Sequence, residues 1–449
     1  MVILRSIAKS QYYKMKRVLI ITYYWPPSGG SGVQRWLKFS KYLPENGWTP
    51  VIYTPENPDF DLKDESLESD VHEDTIVVKR KILEPYKLAG LFGKGKSNAG
   101  VGSGPKLNQK SSLISRFVLW IRGNIFIPDP RILWVSPSVR FLKKFLEQNP
   151  VDIIISTGPP HSMHLIAEKL KDKMNIPWIA DFRDPLSTMD VYDEFSLTAR
   201  SKQKLIDMEH RFLNKSDLVL TVTPRFSEML VSFDKQREVV LTNGFDPDDF
   251  LMNESYQKQN SKKFTLLHAG TLGNVRDPKG LWQALSELSR ERSNLVANVM
   301  IKFVGNVSPE IIAFIQDNDK LKDKVQFLGY MSRKELQKLY AEADALLLAI
   351  HSTAVGRISI PGKVFEYLAT SKPIICLGDI TSDASIVIKE AKVGQSFEYN
   401  DAAGVKNYLV KLLSEERSVR SLESLNRYSR RKLTKDLSTV LNDISGKAD

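Results

Sequence analysis

A chain of 449 residues, 42% hydrophobic and 26% charged, holds enough apolar sequence for two or three domains, each with its own core. Its 64 Lys and Arg against 53 Asp and Glu leave a net charge of +11, which favours anionic partners: nucleotides, nucleic acid or acidic lipid headgroups. A single cysteine, Cys376, excludes an internal disulfide and any multi-cysteine metal site, and no apolar run reaches the roughly 18 residues of a membrane span.

The opening MVILRSIAKSQYYK is too short and polar for the apolar core of a secretory leader. Met15 then opens MKRVLII, so translation is expected to start there, with residues 1–14 a dispensable extension. Six strand candidates follow: RVLIITYY, TPVIYT, TIVVKR, DIIIST, WIADF and LVLTVT. Between the third and fourth lies the Gly/Ser/Lys-rich stretch 93–112, which reads as a mobile loop. The apolar LISRFVLWIRGNIFIP comes next, either a core helix with solvated arginines or a surface element touching lipid.

Residues 243–263 have almost no apolar periodicity and read as an interdomain linker. A second strand series follows: FTLLHAG, VMIKFVG, VQFLGY, ALLLAI, PIICLG and a weak GQSFEY. Helix-period segments such as SRKELQKLYAEA and GKVFEYLAT separate the strands. Continuous apolar strands alternating with helices predict parallel sheets covered on both faces, hence a doubly wound α/β fold. The expected division is a domain over 15–243, a linker over 244–263, a second domain over 264–420 and a helical segment over 421–449 that straps the two. Two Rossmann-like sheets facing across a cleft would gather ligands at the carboxyl ends of their strands. Cys376, inside apolar PIICLG, reads as a buried bystander, which fits a reducing cytoplasm.

After the first strand come Trp25, two prolines and then Gly29, Gly30 and Gly32, ahead of a helical pattern. Glycines at a strand–helix junction let a ligand approach backbone N–H groups at the positive end of a helix dipole. The dinucleotide fingerprint fails, because Arg35 stands where the third glycine is needed, and no G-K-[ST] follows for a P-loop. The loop is therefore either a ligand-approach loop or an ordinary turn. In the second half, Pro361 and Gly362 open a helix with Lys363 and Glu366 in its first turn, an arrangement that suits a diphosphate and a vicinal ribose diol. For Glu366 the alternative is simple dipole complementarity.

Together, YYWPPSGGSG, NGFD, HAGTLG and IPGKVFEYLATSKPII resemble the family 4 glycosyltransferases, retaining enzymes of the GT-B fold. IRGNIFIPDPR, STGPPHSMHLIA and WIADFRDPL narrow the resemblance to bacterial surface-polysaccharide members. It implies that Gly29, Gly30 and Gly32 approach a donor diphosphate, and that Gly270, Thr271, Pro361 and Gly362 line the donor site. It also implies that Glu366 holds the ribose, and that Arg276, Lys279 and Lys363 neutralise the departing nucleotide. The family often has arginine where this chain has Thr271, so Arg276 is the expected substitute. A second family glutamate, eight residues before Glu366, is here Ile358, and the donor sugar must be read otherwise, from HSTAVGR. In place of a family histidine the chain has DFRDP, making Asp181, Arg183 and Asp184 candidates to orient or deprotonate an acceptor, or simply a brace for the loop. His161 and Arg122 are candidate acceptor contacts, and His164 is expected to be structural.

The function this implies is transfer of a sugar from a nucleotide-diphosphate sugar to a glycan or polyprenyl-diphosphate-linked acceptor, with retention. An epimerase or hydrolase of the same architecture is the alternative. No cofactor is expected and no metal: the strings Asp59-x-Asp61, Asp246-x-Asp248 and Asp317-x-Asp319 do not end strong strands. Lysines and arginines are spread among acids, against a nucleic-acid partner. Lys94, Lys96, Lys106, Lys110, Arg116 and Arg122 form an expected patch for an anionic membrane, placing the enzyme in the cytoplasm at the inner face.

Overall fold

A computed structural model of the chain describes residues 15–58, 60, 62–84, 113–188, 192, 195–230, 233–251, 263–351, 354–414 and 422–446. These residues build two parallel sheets. The first has seven strands, β1 (Lys16–Ile21), β2 (Trp48–Pro55), β3 (Ile76–Arg80), β4 (Ile153–Gly158), β5 (Trp178–Phe182), β6 (Leu218–Thr221) and β7 (Glu238–Val240), in the order β3-β2-β1-β4-β5-β6-β7. The second has six, β8 (Phe264–Ala269), β9 (Val299–Val304), β10 (Val325–Gly329), β11 (Ala345–Ala349), β12 (Ile374–Leu377) and β13 (Gly394–Phe397), in the order β10-β9-β8-β11-β12-β13. All twelve strand candidates of the sequence are present. β7 is additional: three residues at a sheet edge, too short to show a pattern.

Both sheets reverse direction beside their first strand. In the first, Val18 pairs with Pro50 of β2 on one side and with Ile153 of β4 on the other. In the second, Leu266 of β8 faces Ile301 of β9 and Ala345 of β11. Such a reversal splays the neighbouring crossovers apart and opens a crevice at the carboxyl ends of the strands.

Burial on two faces explains the unbroken apolar runs. In β8, Leu266 belongs to one core with Ile301, Leu347 and Ile375, while its neighbour Leu267 belongs to another with Leu346, Ile374 and Cys376. Alternate residues of one strand thus feed cores above and below the sheet. The helices Lys279–Glu291, Pro309–Gln316 and Ala402–Leu413 contribute to the first core, Gly362–Ala369 and Asp383–Glu390 to the second.

The chain divides into two compact units. Unit 1 runs up to Thr221 and adds Leu230–Val239 and the residues from Thr434; unit 2 comprises Val222–Met229 and Val240–Leu433. The last helix, Arg430–Ser445, therefore begins in unit 2, where Arg430 N–H donates to Phe245 C=O at 2.7 Å, and ends in unit 1, where Lys16 Nζ donates to Ser445 Oγ at 2.7 Å. Among the described residues no helix is long and apolar enough to cross a membrane.

Candidate active site

The carboxyl ends of the second sheet are built from glycines in left-handed backbone. Gly270 after β8 has φ +138°, Gly305 after β9 φ +112°, and Gly378 after β12 φ +145°. These residues turn the chain sharply out of the sheet, which L side chains rarely allow. At Gly270 a second constraint applies. A Cβ there would lie 2.5 Å from Cε of Lys363, because the lysine lies across the glycine. Lys363 is in the first turn of Gly362–Ala369, so its ammonium, the strand end of β8 and a helix N-terminus come together.

His268 and Arg276 complete this cluster. His268 is buried, and its Nδ1 donates to Leu347 C=O at 2.9 Å, which fixes the proton on Nδ1 and leaves Nε2 an acceptor with no hydrogen-bond partner. Burial lowers its pKa to about 4, and the positive charges of Lys363 and Arg276 oppose protonation further. Arg276, in the turn Asn274–Arg276, has a buried Nε that also lacks a partner. Tyr367 ties the strand ends together: its hydroxyl accepts from Ala269 N–H at 3.0 Å and donates to Leu347 C=O at 3.3 Å.

The other predicted residues of this unit are placed as follows. Pro361 is the N-cap and Gly362 the exposed first residue of the helix, with open space where a side chain would project. Thr271 is exposed. Glu366 is exposed too, and one of its oxygens accepts from the buried Tyr340 hydroxyl at 3.0 Å. Lys279 begins the helix Lys279–Glu291 and lines a groove of about 580 Å³ with Asp277, Trp282, Glu310 and Phe314. In HSTAVGR, Ser352 and Thr353 lie outside the described residues. Arg357 of that motif pairs with Asp379, and Ile358 C=O accepts from Thr223 Oγ1 at 2.8 Å.

In unit 1 the glycine loop is thin for reasons internal to it. A Cβ on Gly29 would lie 2.8 Å from Leu62, and one on Gly32 would lie 3.0 Å from the Tyr24 ring; Gly30 has φ +83°. Gly29 N–H is occupied, donating to Leu62 C=O at 2.9 Å. The approach of a donor diphosphate implied for Gly29, Gly30 and Gly32 is thus not needed to explain them. The helix Ser31–Tyr42 follows.

Asp181, at the end of β5, is fully buried with both oxygens occupied. Arg35 donates to it through Nε at 3.1 Å and Nη2 at 2.8 Å, Trp36 through Nε1 at 2.8 Å, and Thr157 through Oγ1 at 2.7 Å. A carboxylate so saturated has no lone pair directed at an acceptor hydroxyl. The proposed orienting or basic role is corrected here: Asp181 is a brace, and Arg35, where a dinucleotide fingerprint would need glycine, is its partner. Arg183, two residues on, binds backbone instead. Its guanidinium donates to Gly158 C=O at 3.3 Å, to Gly32 C=O at 3.1 Å and to Pro159 C=O, fastening three chain segments at the ends of β4, β5 and β1. Asp184 is exposed.

His161 and His164 are both buried after β4, their ring centroids 5.5 Å apart, with Phe182 stacked on His164 at 4.7 Å. They fill the space a side chain on Gly158 would take: a Cβ there would lie 2.5 Å from His161 Nδ1 and 2.8 Å from His164 Nε2. His164 Nδ1 meets Ser156 Oγ at 2.7 Å, whereas neither nitrogen of His161 has a partner. Burial lowers the pKa of His161 well below its ordinary value and that of His164 to about 3, with the charge of Arg183 adding to both. The helix Ser162–Met174 that carries His164 is held at its start by Asp129, which accepts from Ser162 N–H at 2.8 Å and from its hydroxyl at 2.9 Å. Arg122 lies over the Phe195 ring at 4.8 Å. Lys94, Lys96, Lys106 and Lys110 lie outside the described residues.

Comparison with known proteins places this geometry. Residues 253–432 match the family model of Glycosyl transferases group 1. No curated protein matches the chain. Solved structures are similar over nearly its whole length. The lipopolysaccharide outer core galactosyltransferase WaaB in its apo form is 12% identical with a TM-score of 0.54, covering 95% of this chain and 99% of that one. The N-terminal domain of Candida albicans trehalose-6-phosphate phosphatase is 14% identical, with a TM-score of 0.56 and coverages of 98% and 99%. Anabaena HepE in complex with UDP-glucose is 11% identical, with a TM-score of 0.50 and coverages of 96% and 98%. At these identities the likeness carries the fold. The two parallel-sheet units are those of the GT-B fold, and the group 1 segment within them makes the chain a glycosyltransferase.

Proposed function

We propose that the chain transfers a sugar, with retention of anomeric configuration, from a nucleotide-diphosphate sugar to a glycan or polyprenyl-diphosphate-linked acceptor, as a family 4 enzyme of bacterial surface-polysaccharide synthesis. The observation that carries the reading is Lys363 lying across Gly270 at the first turn of a helix, with the unpartnered Nε of Arg276 nearby. Two fixed cations and a helix N-terminus stabilise the diphosphate charge that grows as the glycosidic bond breaks. Glu366, exposed one turn along and steadied by Tyr340, is in place to accept from ribose hydroxyls. HepE, of the same fold, is a complex with UDP-glucose, which supports a nucleotide-sugar donor.

Retention follows from front-face attack in which the leaving phosphate takes the acceptor proton. No carboxylate nucleophile is then required, which agrees with Asp181 being saturated. Positive charge comes from side chains, so turnover is expected to persist in EDTA. The reading places the enzyme in the cytoplasm.

The test is a calorimetric titration of UDP, GDP, ADP and NAD on wild type, Glu366→Ala and Lys363→Ala. One nucleoside diphosphate is expected to bind, with affinity falling at least about tenfold in Glu366→Ala; kcat in Lys363→Ala is expected to fall by about 10²–10³, the typical loss for one transition-state donor. Preference for NAD, or binding indifferent to both substitutions, rejects it. An α-linked product from an α-linked donor, read by NMR, establishes retention.

A further inference from the structure

The helix Ala354–Ile358 is five residues long, too short to hold its own shape, yet its last two residues are each fastened by a side chain from elsewhere. Thr223, 1% exposed, donates its hydroxyl to Ile358 C=O at 2.8 Å, and the same oxygen accepts from Phe226 N–H at 3.1 Å. One hydroxyl thus starts the helix Pro224–Met229 and pins the end of Ala354–Ile358. Arg357 Nε donates to Asp379 Oδ2, in the turn after β12. The helix Pro224–Met229 is itself anchored, and Val222–Met229 count with unit 2 although they follow β6. Arg225 N–H donates to Asp383 Oδ2 at 3.2 Å, and Arg225 Nε stands 3.8 Å from Oδ1. Asp383, 2% exposed, opens the helix Asp383–Glu390 that follows the turn of Asp379. The contacts close a ring: Ile358 to Thr223, Arg225 to Asp383, and Asp379 back to Arg357.

The ring holds the segment that joins two parts of the phosphate cluster. The register that sets Ala345 opposite Leu266 carries Ala349, the end of β11, level with Gly270. From there the chain runs through Ala354–Ile358 to Pro361 and Gly362, where the helix bearing Lys363 begins. The cluster has supports of its own: Gly270 N–H donates to Val304 C=O at 2.7 Å, and Tyr367 ties Ala269 to Leu347. Loosening the ring therefore moves the segment beside the phosphates and leaves the phosphate contacts in place.

We infer that Thr223 is a positioning residue for the donor's sugar: through Ile358 it fixes the helix Ala354–Ile358 against the group that the second phosphate carries. The inference rests on the nucleotide-sugar reading and adds to it a residue that touches neither phosphate nor sugar. Full-length wild type, Thr223→Val and Thr223→Ser are titrated calorimetrically with UDP, GDP and ADP and with UDP-glucose, GDP-glucose and ADP-glucose. Thr223→Val is expected to bind the preferred bare nucleoside diphosphate as wild type does, within about twofold. Its affinity for the glucose ester of that nucleotide is expected to fall about threefold to tenfold, the range for one lost hydrogen bond. Thr223→Ser keeps the hydroxyl and is expected to match wild type with both ligands. Arg357→Gln releases the neighbouring fastening at an exposed position, so it folds even where a buried valine is not tolerated, and is expected to shift the same ratio. Equal weakening of both ligands in Thr223→Val, or an unchanged ratio in Thr223→Val and Arg357→Gln, overturns the inference while the nucleotide-sugar reading stands. Wild type that binds none of the three nucleoside diphosphates overturns that reading, and this inference with it.

Discussion

Asp181 shows how a polar residue in a suggestive place can be fully spent on structure. Its carboxylate and the guanidinium of Arg35 are both buried, at 0% and 1% exposure. Asp181→Asn keeps the shape and removes the charge, leaving Arg35 buried without a counterion. The expected loss is about 3 kcal/mol of stability, measured by urea unfolding. A variant as stable as wild type but inactive would instead restore a chemical role. Gly270 gives the complementary case. Gly270→Ala strains a φ of +138° and drives a methyl into Lys363, so a loss of roughly 1–3 kcal/mol is expected, together with at least tenfold weaker nucleoside diphosphate binding. Gly273→Ala is the control. Its φ is −91° with open space around it, and the change should stay within about 0.5 kcal/mol in unfolding and leave binding alone.

Strands and the segments that follow them carry the acid sensitivity. His161 and His164 follow β4, and His268 lies in β8. All three have pKa values held below the ordinary value of about 6.5 by burial, with His164 at about 3 and His268 at about 4. Below pH ~6.5 the unfolded chain binds protons that the folded chain refuses. Stability is therefore complete above that pH and falls as the pH drops toward 4, by up to about 1.4 kcal/mol per pH unit for each histidine. Urea midpoints measured from pH 7 to pH 4.5 should show the decline, and His164→Gln should flatten it. A pH-independent midpoint would mean that the imidazoles are hydrated or paired in the folded state. The strands themselves were readable as unbroken apolar runs, because each is covered on both sides. β7 was not, since three edge residues, Glu238 to Val240, have no pattern to show.

Unit membership ties the chain ends together. The residues from Thr434 count with unit 1, although the helix they belong to starts at Arg430 in unit 2. Leu437 and Leu441 are fully buried. Ending the chain after Leu433 removes both, at about 2–5 kcal/mol each by analogy with core truncations. Hydrogen exchange by mass spectrometry should then show loss of protection in β1 and β2, while β8 and β11 stay protected. Equal loss in both sheets would mean that the units do not unfold separately. A sequence reading that placed residues 421–449 in a strap had only polar helical pattern to work from, and such a pattern does not say which core receives its leucines.

Apolar continuity and the rhythm of strand and helix were enough to predict two doubly wound sheets, because burial on two faces leaves its mark on every strand residue. Pro361, Gly362 and Lys363 were legible as a helix start for the same local reason: capping and φ are properties of adjacent residues. The partners of those residues were not. Nothing in HAGTLG tells that His268 bonds Leu347, and nothing in the helix of Tyr340 points to Glu366. Arg35 and Asp181, 146 residues apart, became a buried pair only when β5 was laid beside β4. Pairing at that separation depends on sheet order and burial, which no local stretch of sequence encodes.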